Sequence, residues 1–190
     1  MTKRRAKNKN YRKNLKVWTI LCLLLICTVA ILLRGIVVYR LYPLEFKEQI
    51  ERYSDMYSID KYFVSAVICT ESHFDEKIIS NKGAVGLMQI MPNTGEWAAK
   101  LIGIEDYSVE RLTNPEININ IGCWYLSYLG EMFEGDAQKV LAAYNAGPAN
   151  VKEWLEMDGS LTEIPYEETE NYLQKVQRNY EIYKGLYNIF

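Results

Sequence analysis

"GAVGLMQIMPNTG", Gly83 to Gly95, carries two signals that rarely coincide. Three glycines and a proline mark a loop. Its middle, Leu87 to Met91, is nonetheless apolar apart from Gln89. A loop on the surface would expose such a run to water at a cost, so this one is expected to line something.

Outward from this loop the pattern is helical in both directions. Downstream, "NTGEWAAKLIG" reads as a short helix with a capping-box start, Asn93 and Glu96, and a stop at Gly103. Upstream, Asp60 is placed to cap "KYFVSAVICTESHF", whose Phe63, Val67 and Thr70 or Glu71 share a face. Before that, Phe46, Ile50, Tyr53 and Tyr57 recur at helical spacing. "TNPEININIGCWYLSYLGEMF" puts Pro115 in a first turn and reads as a largely buried helix. "DAQKVLAAYNAG" ends at Gly147, Pro148 opens another short helix, and Tyr172, Val176, Tyr180, Tyr183 and Tyr187 form a core-facing stripe in the last one. No useful strand alternation and no internal repeat occurs. The expected domain is all-α, with seven or eight helices over residues 44–190.

The N-terminus is of another kind. Residues 1–16 hold eight Lys or Arg and no acid, and Val17 to Leu33 then run without a charge. That run covers about 25 Å as a helix, and "GIVVY" extends it beyond Arg34. A buried core helix would show a polar face, a cleaved signal peptide a small-residue site, and a lipoprotein cysteine a small residue before it. Cys22 follows Leu21 and Cys27 follows Ile26, and none of these features is seen. Residues 17–39 are therefore expected to be an uncleaved signal anchor, single-pass, with the basic tail of residues 1–16 in the cytoplasm and the remainder extracellular or periplasmic.

Charge divides at the same place. Residues 1–40 hold ten basic side chains and no acids, leaving the rest at a formal −12. That excludes an outer domain that grips nucleic acid through its phosphates. Cys69 and Cys123 fall in apolar helical patterns and are expected as buried thiols. With one histidine, His73, and no CxxC, there is little to build a metal or haem site from, and no cofactor is expected. His73 is also poorly placed for a Ser-His-Asp relay or for activating Cys69. Carboxylate chemistry remains. Glu71 stands in a mostly apolar helix, where an acid is unusual.

"ESHF", "SNKGAVGLMQIMP", "NPEININIGCWYL", "LAAYNAGPANV" and "IPYEETENYLQKV" occur in the order found in the lytic transglycosylase (SLT-type) domain family, which this chain resembles over about residues 44–185. The resemblance implies a lysozyme-like helical fold that cleaves MurNAc–GlcNAc bonds in peptidoglycan glycan strands. The helical periodicity and the poverty of ligands separately lead us to expect a monomeric unit. Position by position it implies Glu71 as catalytic acid, with Ser72, Ser80, Met88, Gln89, Tyr144, Asn145 and Glu168 lining the substrate site. Met88 and Met91 would form an apolar wall, Gly83 and Gly86 would let the backbone approach a sugar, and Gln89 would offer it an amide. Asn81 and Lys82 stand where Pro-Ala is frequent in the family. One carboxyl acting as acid and then base would suffice if the sugar's own C6 hydroxyl attacks C1. A hydrolytic muramidase would instead need a second acid across the cleft, for which Asp75, Glu76 and Asp106 are candidates. A non-catalytic wall-binding protein would be expected to lack Glu71.

Overall fold

The computed structural model describes residues 2–158, 161 and 164–187, with side chains from Lys16 to Glu156, of Leu161, and from Ile164 to Tyr187. The chain forms two compact units, Met1–Pro43 and Leu44–Phe190.

The first unit is one helix, α1, Thr2–Leu41. Its stretch Lys16–Leu41 is long and apolar enough to cross a membrane. The large apolar side chains of that stretch lie exposed, Leu25 and Ile31 by about two thirds.

The second unit is all helical. It runs α2 (Lys47–Met56), α3 (Lys61–Glu71), α4 (Pro92–Ile102), a 3-10 turn (Val109–Thr113), α5 (Pro115–Met132), α6 (Ala137–Ala146), α7 (Pro148–Asp158) and α8 (Glu167–Tyr187). No strand occurs among the described residues, only isolated bridges pairing Val85 with Ile79 and with Ile90. Most starts follow the sequence cues. The Asp60 carboxylate accepts from the amides of Tyr62 and Phe63, and Asn114 and Asp136 cap α5 and α6 in the same way. Gly103 ends α4 in the left-handed conformation. Two details differ. The helix α4 starts at Pro92 with no side-chain cap, because proline's preset φ already opens the helix one residue before Asn93. Phe46 precedes α2 in a left-handed conformation and so is not one of its helical positions.

Helix α3 is the axis of the core. Val64, Ala66, Val67 and Ile68 are completely buried, and α8 packs along it more extensively than any other pair of elements. Tyr172, Val176 and Tyr183 of the expected stripe are buried, while Tyr180 and Tyr187 are half-buried at the margin. Polar bonds fix the register of the two helices. Asn179 Nδ2 donates to Thr70 Oγ1 (2.9 Å), and the Tyr180 hydroxyl donates to Asp60 Oδ2 (3.2 Å). On the other side α2 is tied to α5, where Arg52 and Tyr53 both donate to Glu116 Oε1 (2.5 and 2.6 Å). Cys69 and Cys123 are both buried and form no disulfide.

The glycine loop answers its puzzle by turning inward. Leu87 and Met88 are wholly buried and Ile90 nearly so, which makes the apolar run part of the core. The polar backbone it carries inside needs partners, and one side chain supplies three. Asn118 of α5, fully buried, accepts from the Met88 amide (2.8 Å) and donates to the carbonyls of Val85 (2.9 Å) and Leu112 (2.7 Å). Gly86, at φ +77°, lies so close to this amide that a Cβ there would fall 2.5 Å from Asn118 Nδ2 and 2.4 Å from the Leu112 carbonyl. Asn118→Ala strands the Met88 amide and the Leu112 carbonyl, each costing about 1–3 kcal/mol if left dry, while the Val85 carbonyl keeps the Ile90 amide (3.0 Å). Urea unfolding of residues 44–190 should show a loss of at least about 2 kcal/mol, and a loss below about 1 kcal/mol would mean that water replaces the amide.

Candidate active site

Glu71 is the last residue of α3, so its carboxyl sits where the helix C-terminus carries negative partial charge. Beyond it Ser72 caps the helix, and His73 and Phe74 both take positive φ, 51° and 65°. Two such residues in succession cost energy, which packing must supply. The Phe74 ring is buried and tilted against Tyr183 of α8, 6.3 Å between centroids.

Burial pushes the Glu71 carboxyl up from 4.5 to about 7, with Tyr172 opposing in part. The negative helix end acts in the same direction as burial. The groups that act on Glu71 electrostatically are phenols, Tyr172 of α8 and Tyr144 of α6, both raised well above 10 chiefly by burial and then by Glu71 itself. Tyr172 was placed by its spacing in the core stripe, and its functional position was not legible. Its hydroxyl is buried and beside Glu71, but among the described residues it has no partner that meets hydrogen-bond geometry. Tyr144 donates to the Met88 carbonyl (2.7 Å).

The expected lining residues fall into two groups. Ser72 is buried, and its hydroxyl joins the end of α3 to the loop through the carbonyls of Leu87 (2.8 Å) and Ile68 (3.1 Å). The Met88 side chain is not a cleft wall. It is completely buried, so close to Gly122 that a Cβ there would meet its sulfur at 2.2 Å. Met91 is the exposed methionine of the stretch. Gln89 has its amide nitrogen engaged with the carbonyls of Gly86 (2.9 Å) and Ile78 (3.3 Å), so its carbonyl oxygen is what it can present to a ligand. Ser80 Oγ accepts from the Ala84 amide (3.0 Å) within the same loop.

Asn145 and Glu168 belong to a seam that ties the start of α8 to the loop and to α6. Asn145 Oδ1 accepts from the buried Thr169 hydroxyl (2.8 Å), and Glu168 pairs with Lys82 (3.0 Å). Both partners of that ion pair are about three quarters exposed, so it adds little stability. It does give a use to Lys82. Of the candidate second acids, Asp75 and Asp106 are exposed, and Asp106 pairs with Arg111. No carboxylate is among the groups acting on Glu71. A cavity of about 1180 Å³ lies elsewhere, between Phe63, Leu126, Leu141 and Leu173, and is lined by none of these residues.

A helical domain with one desolvated carboxyl at a helix end, between two phenols and a glycine-hinged loop, is of lysozyme-like type. Residues 48–166 match the model of the transglycosylase SLT domain, and the chain belongs to that family. It is 36% identical over 143 residues to the soluble lytic murein transglycosylase of Escherichia coli K12, a match covering 71% of this chain and 22% of that one. It is 30% identical over 123 residues to the membrane-bound lytic murein transglycosylase C of Edwardsiella ictaluri, covering 56% and 32%. The crystal structure of the 70 kDa soluble lytic transglycosylase of E. coli superposes with a TM-score of 0.72 at 35% identity, over 76% of this chain and 25% of that one. The chain thus spans about a quarter of the length of these soluble relatives.

Glu71 binds its proton more tightly folded than unfolded. The fold therefore gives up stability as pH rises from about 4.5 to about 7, and loses no more above that. The ceiling on this cost is about 3 kcal/mol. Glu71→Gln removes it, so thermal unfolding of the variant should gain on wild type at pH 8 by several degrees more than at pH 4. An equal difference at both pH values would show that the carboxyl is not desolvated.

Proposed function

We propose that this protein is a membrane-anchored peptidoglycan lytic transglycosylase in which Glu71 acts first as acid and then as base. One observation carries the reading. A single carboxyl at the end of α3 is withdrawn from water beside the phenols of Tyr172 and Tyr144, which raises its pKa to about 7, and among the described residues no second carboxylate contributes to that shift.

The chemistry closes with that one group. Glu71 donates its proton to the glycosidic oxygen as the bond from C1 of MurNAc breaks and positive charge develops on that sugar. The carboxylate so formed accepts the proton of the C6 hydroxyl, whose oxygen bonds to C1. The products are a 1,6-anhydroMurNAc end and a free GlcNAc hydroxyl, with no water consumed and Glu71 reprotonated. The tethered nucleophile replaces the second carboxylate that hydrolases need. A pKa near 7 suits both halves of the cycle, since the group must give and take a proton at one pH. Tyr144, fixed by its bond to the Met88 carbonyl, is the side chain placed to steady the cation-like sugar or its N-acetyl group. Ser80, the Gln89 carbonyl oxygen, Asn145 and Glu168 are assigned to the substrate side, and Ser72 and Met88 to holding the loop in place.

Residues 17–39 are assigned to a single-pass anchor, with residues 1–16 in the cytoplasm and the catalytic domain, residues 44–190, outside against the wall. The basic flank and uncharged run support this orientation. Protease added to cells stripped of wall should remove the domain. Recovery from the medium of a protein starting just past residue 33 would refute the anchor.

Mass spectrometry of digested peptidoglycan tests the chemistry. The expected ends are anhydro, one water lighter than reducing MurNAc, and a digest with only reducing ends would make this a muramidase. Glu71→Gln should keep substrate binding and lose turnover by about three orders of magnitude or more. Tyr144→Phe should lose less, about tenfold to a hundredfold, as a supporting contact.

A further inference from the structure

Tyr144 is the inner end of a row of aromatic rings that the reaction leaves unused. The Tyr125 ring of α5 is tilted against it, 5.5 Å between centroids. Tyr128, one turn along α5, lies nearly parallel to Tyr125 (6.4 Å) and to Trp124 (5.5 Å). Trp97 of α4 stands edge-on to Trp124 (4.9 Å), Tyr128 (5.0 Å) and Tyr125 (6.3 Å). A core cluster of this size would be closed off from water. Here Trp124, Tyr125 and Tyr128 are all half-buried and Trp97 is 38% exposed, so the row stays open along its length.

We propose that Trp97, Trp124 and Tyr128 form a distal saccharide-stacking subsite, which holds the uncleaved part of a β-1,4-linked glycan strand beyond Tyr144. The proposal rests on the reaction assigned above, since it takes the same strand as ligand. Continuity is the first support. Two ring-to-ring steps, 5.5 and 6.3 Å, lead from Tyr144 to Trp97, so the row starts at a phenol that interacts with Glu71. Chemistry is the second. A pyranose presents C–H groups on its faces and hydroxyls at its rim, which suits the negative face of an aromatic ring set in a wet patch. The edge-on packing also fixes the rings in advance, so little conformational entropy is lost on binding.

Charge argues against a membrane surface as the occupant, although exposed Trp and Tyr also favour that interface. Anionic headgroups would call for flanking cations. Beside Trp97 on α4, Lys100 is committed to Glu96 (2.7 Å), and Glu131 stands exposed near the end of α5.

The test uses the full chain in detergent and peptide-free GlcNAc–MurNAc oligosaccharides of four and eight sugars. With Trp97→Ala or Trp124→Ala, KM for the eight-sugar substrate should rise about tenfold, the size of one good aromatic contact. Its kcat, and both constants for the four-sugar substrate, should hold, and Trp97→Phe should retain most of the affinity. A loss that is equal for both lengths, or absent from both, overturns the proposal. A readout on intact aromatics guards against misfolding. In the Glu71→Gln chain, eight sugars but not four should shift tryptophan emission, and no length-dependent shift would equally overturn it. If Glu71→Gln cleaves like wild type, it is the assigned reaction that fails, because the emission test reads binding alone.

Discussion

Three hydrogen bonds from one buried amide hold the site together. Asn118 accepts from Met88 and donates to Val85 and Leu112, and so pairs the Met88 amide where the apolar loop enters the core and ties that loop to the 3-10 turn. The Met88 carbonyl then points to the Tyr144 hydroxyl, and the Leu87 carbonyl to Ser72 beside the acid. Without that amide the loop would carry dry polar groups, and the alternative for an apolar run is to spread on the surface. The loop is thus both a core element and the mount for two site residues. Gly86 and Gly122 are the clearances this needs, one for the amide and one for the Met88 sulfur.

Glu71 draws on the stability this packing supplies. A carboxyl moved out of water at a helix C-terminus favours its protonated form, which is the form a glycosidic oxygen needs near neutral pH. The fold opposes that cost with the dry contact of α3 against α8, where Val64, Val67, Ile68, Val176 and Tyr183 are all completely buried. The strained turn at His73 and Phe74 is held by the same contact, through Tyr183. Acid, strain and compensating core therefore share one pair of helices, and a cavity anywhere along that contact bears on the acid's solvation as well as on stability.

The start of α8 has a separate part. Its first turn reaches α6 through Thr169 and Asn145, and the loop through Glu168 and Lys82. The Thr169 hydroxyl is buried, whereas the Lys82 pair is open to solvent and screened by salt. The buried bond fixes the helix start. The open ion pair joins two exposed groups and adds little to that.

Local chemistry alone settled the helices: Asp60 as a cap, Pro115 in a first turn, Gly103 as a stop, and the tyrosine spacing of α8 all act within a few residues of chain. The oddity of Glu71 was legible too, because an acid in "SAVICTESHF" is conspicuous whatever surrounds it, and ordered motifs placed it in a family. Tertiary structure alone decided which atoms meet. Met88 was expected at the cleft and is in the core, since its place depends on the room left by Gly122 on another helix. Gln89 was expected to give its amide to a sugar, but its nitrogen serves Gly86 and Ile78, which only the folded loop brings within reach. Asn118 and Tyr172 gave no signal in sequence, one lost among the apolar positions of α5 and the other in the stripe of α8. Their function comes from contacts with residues far away in the chain, and periodicity along one helix reports its buried face but not the groups across from it.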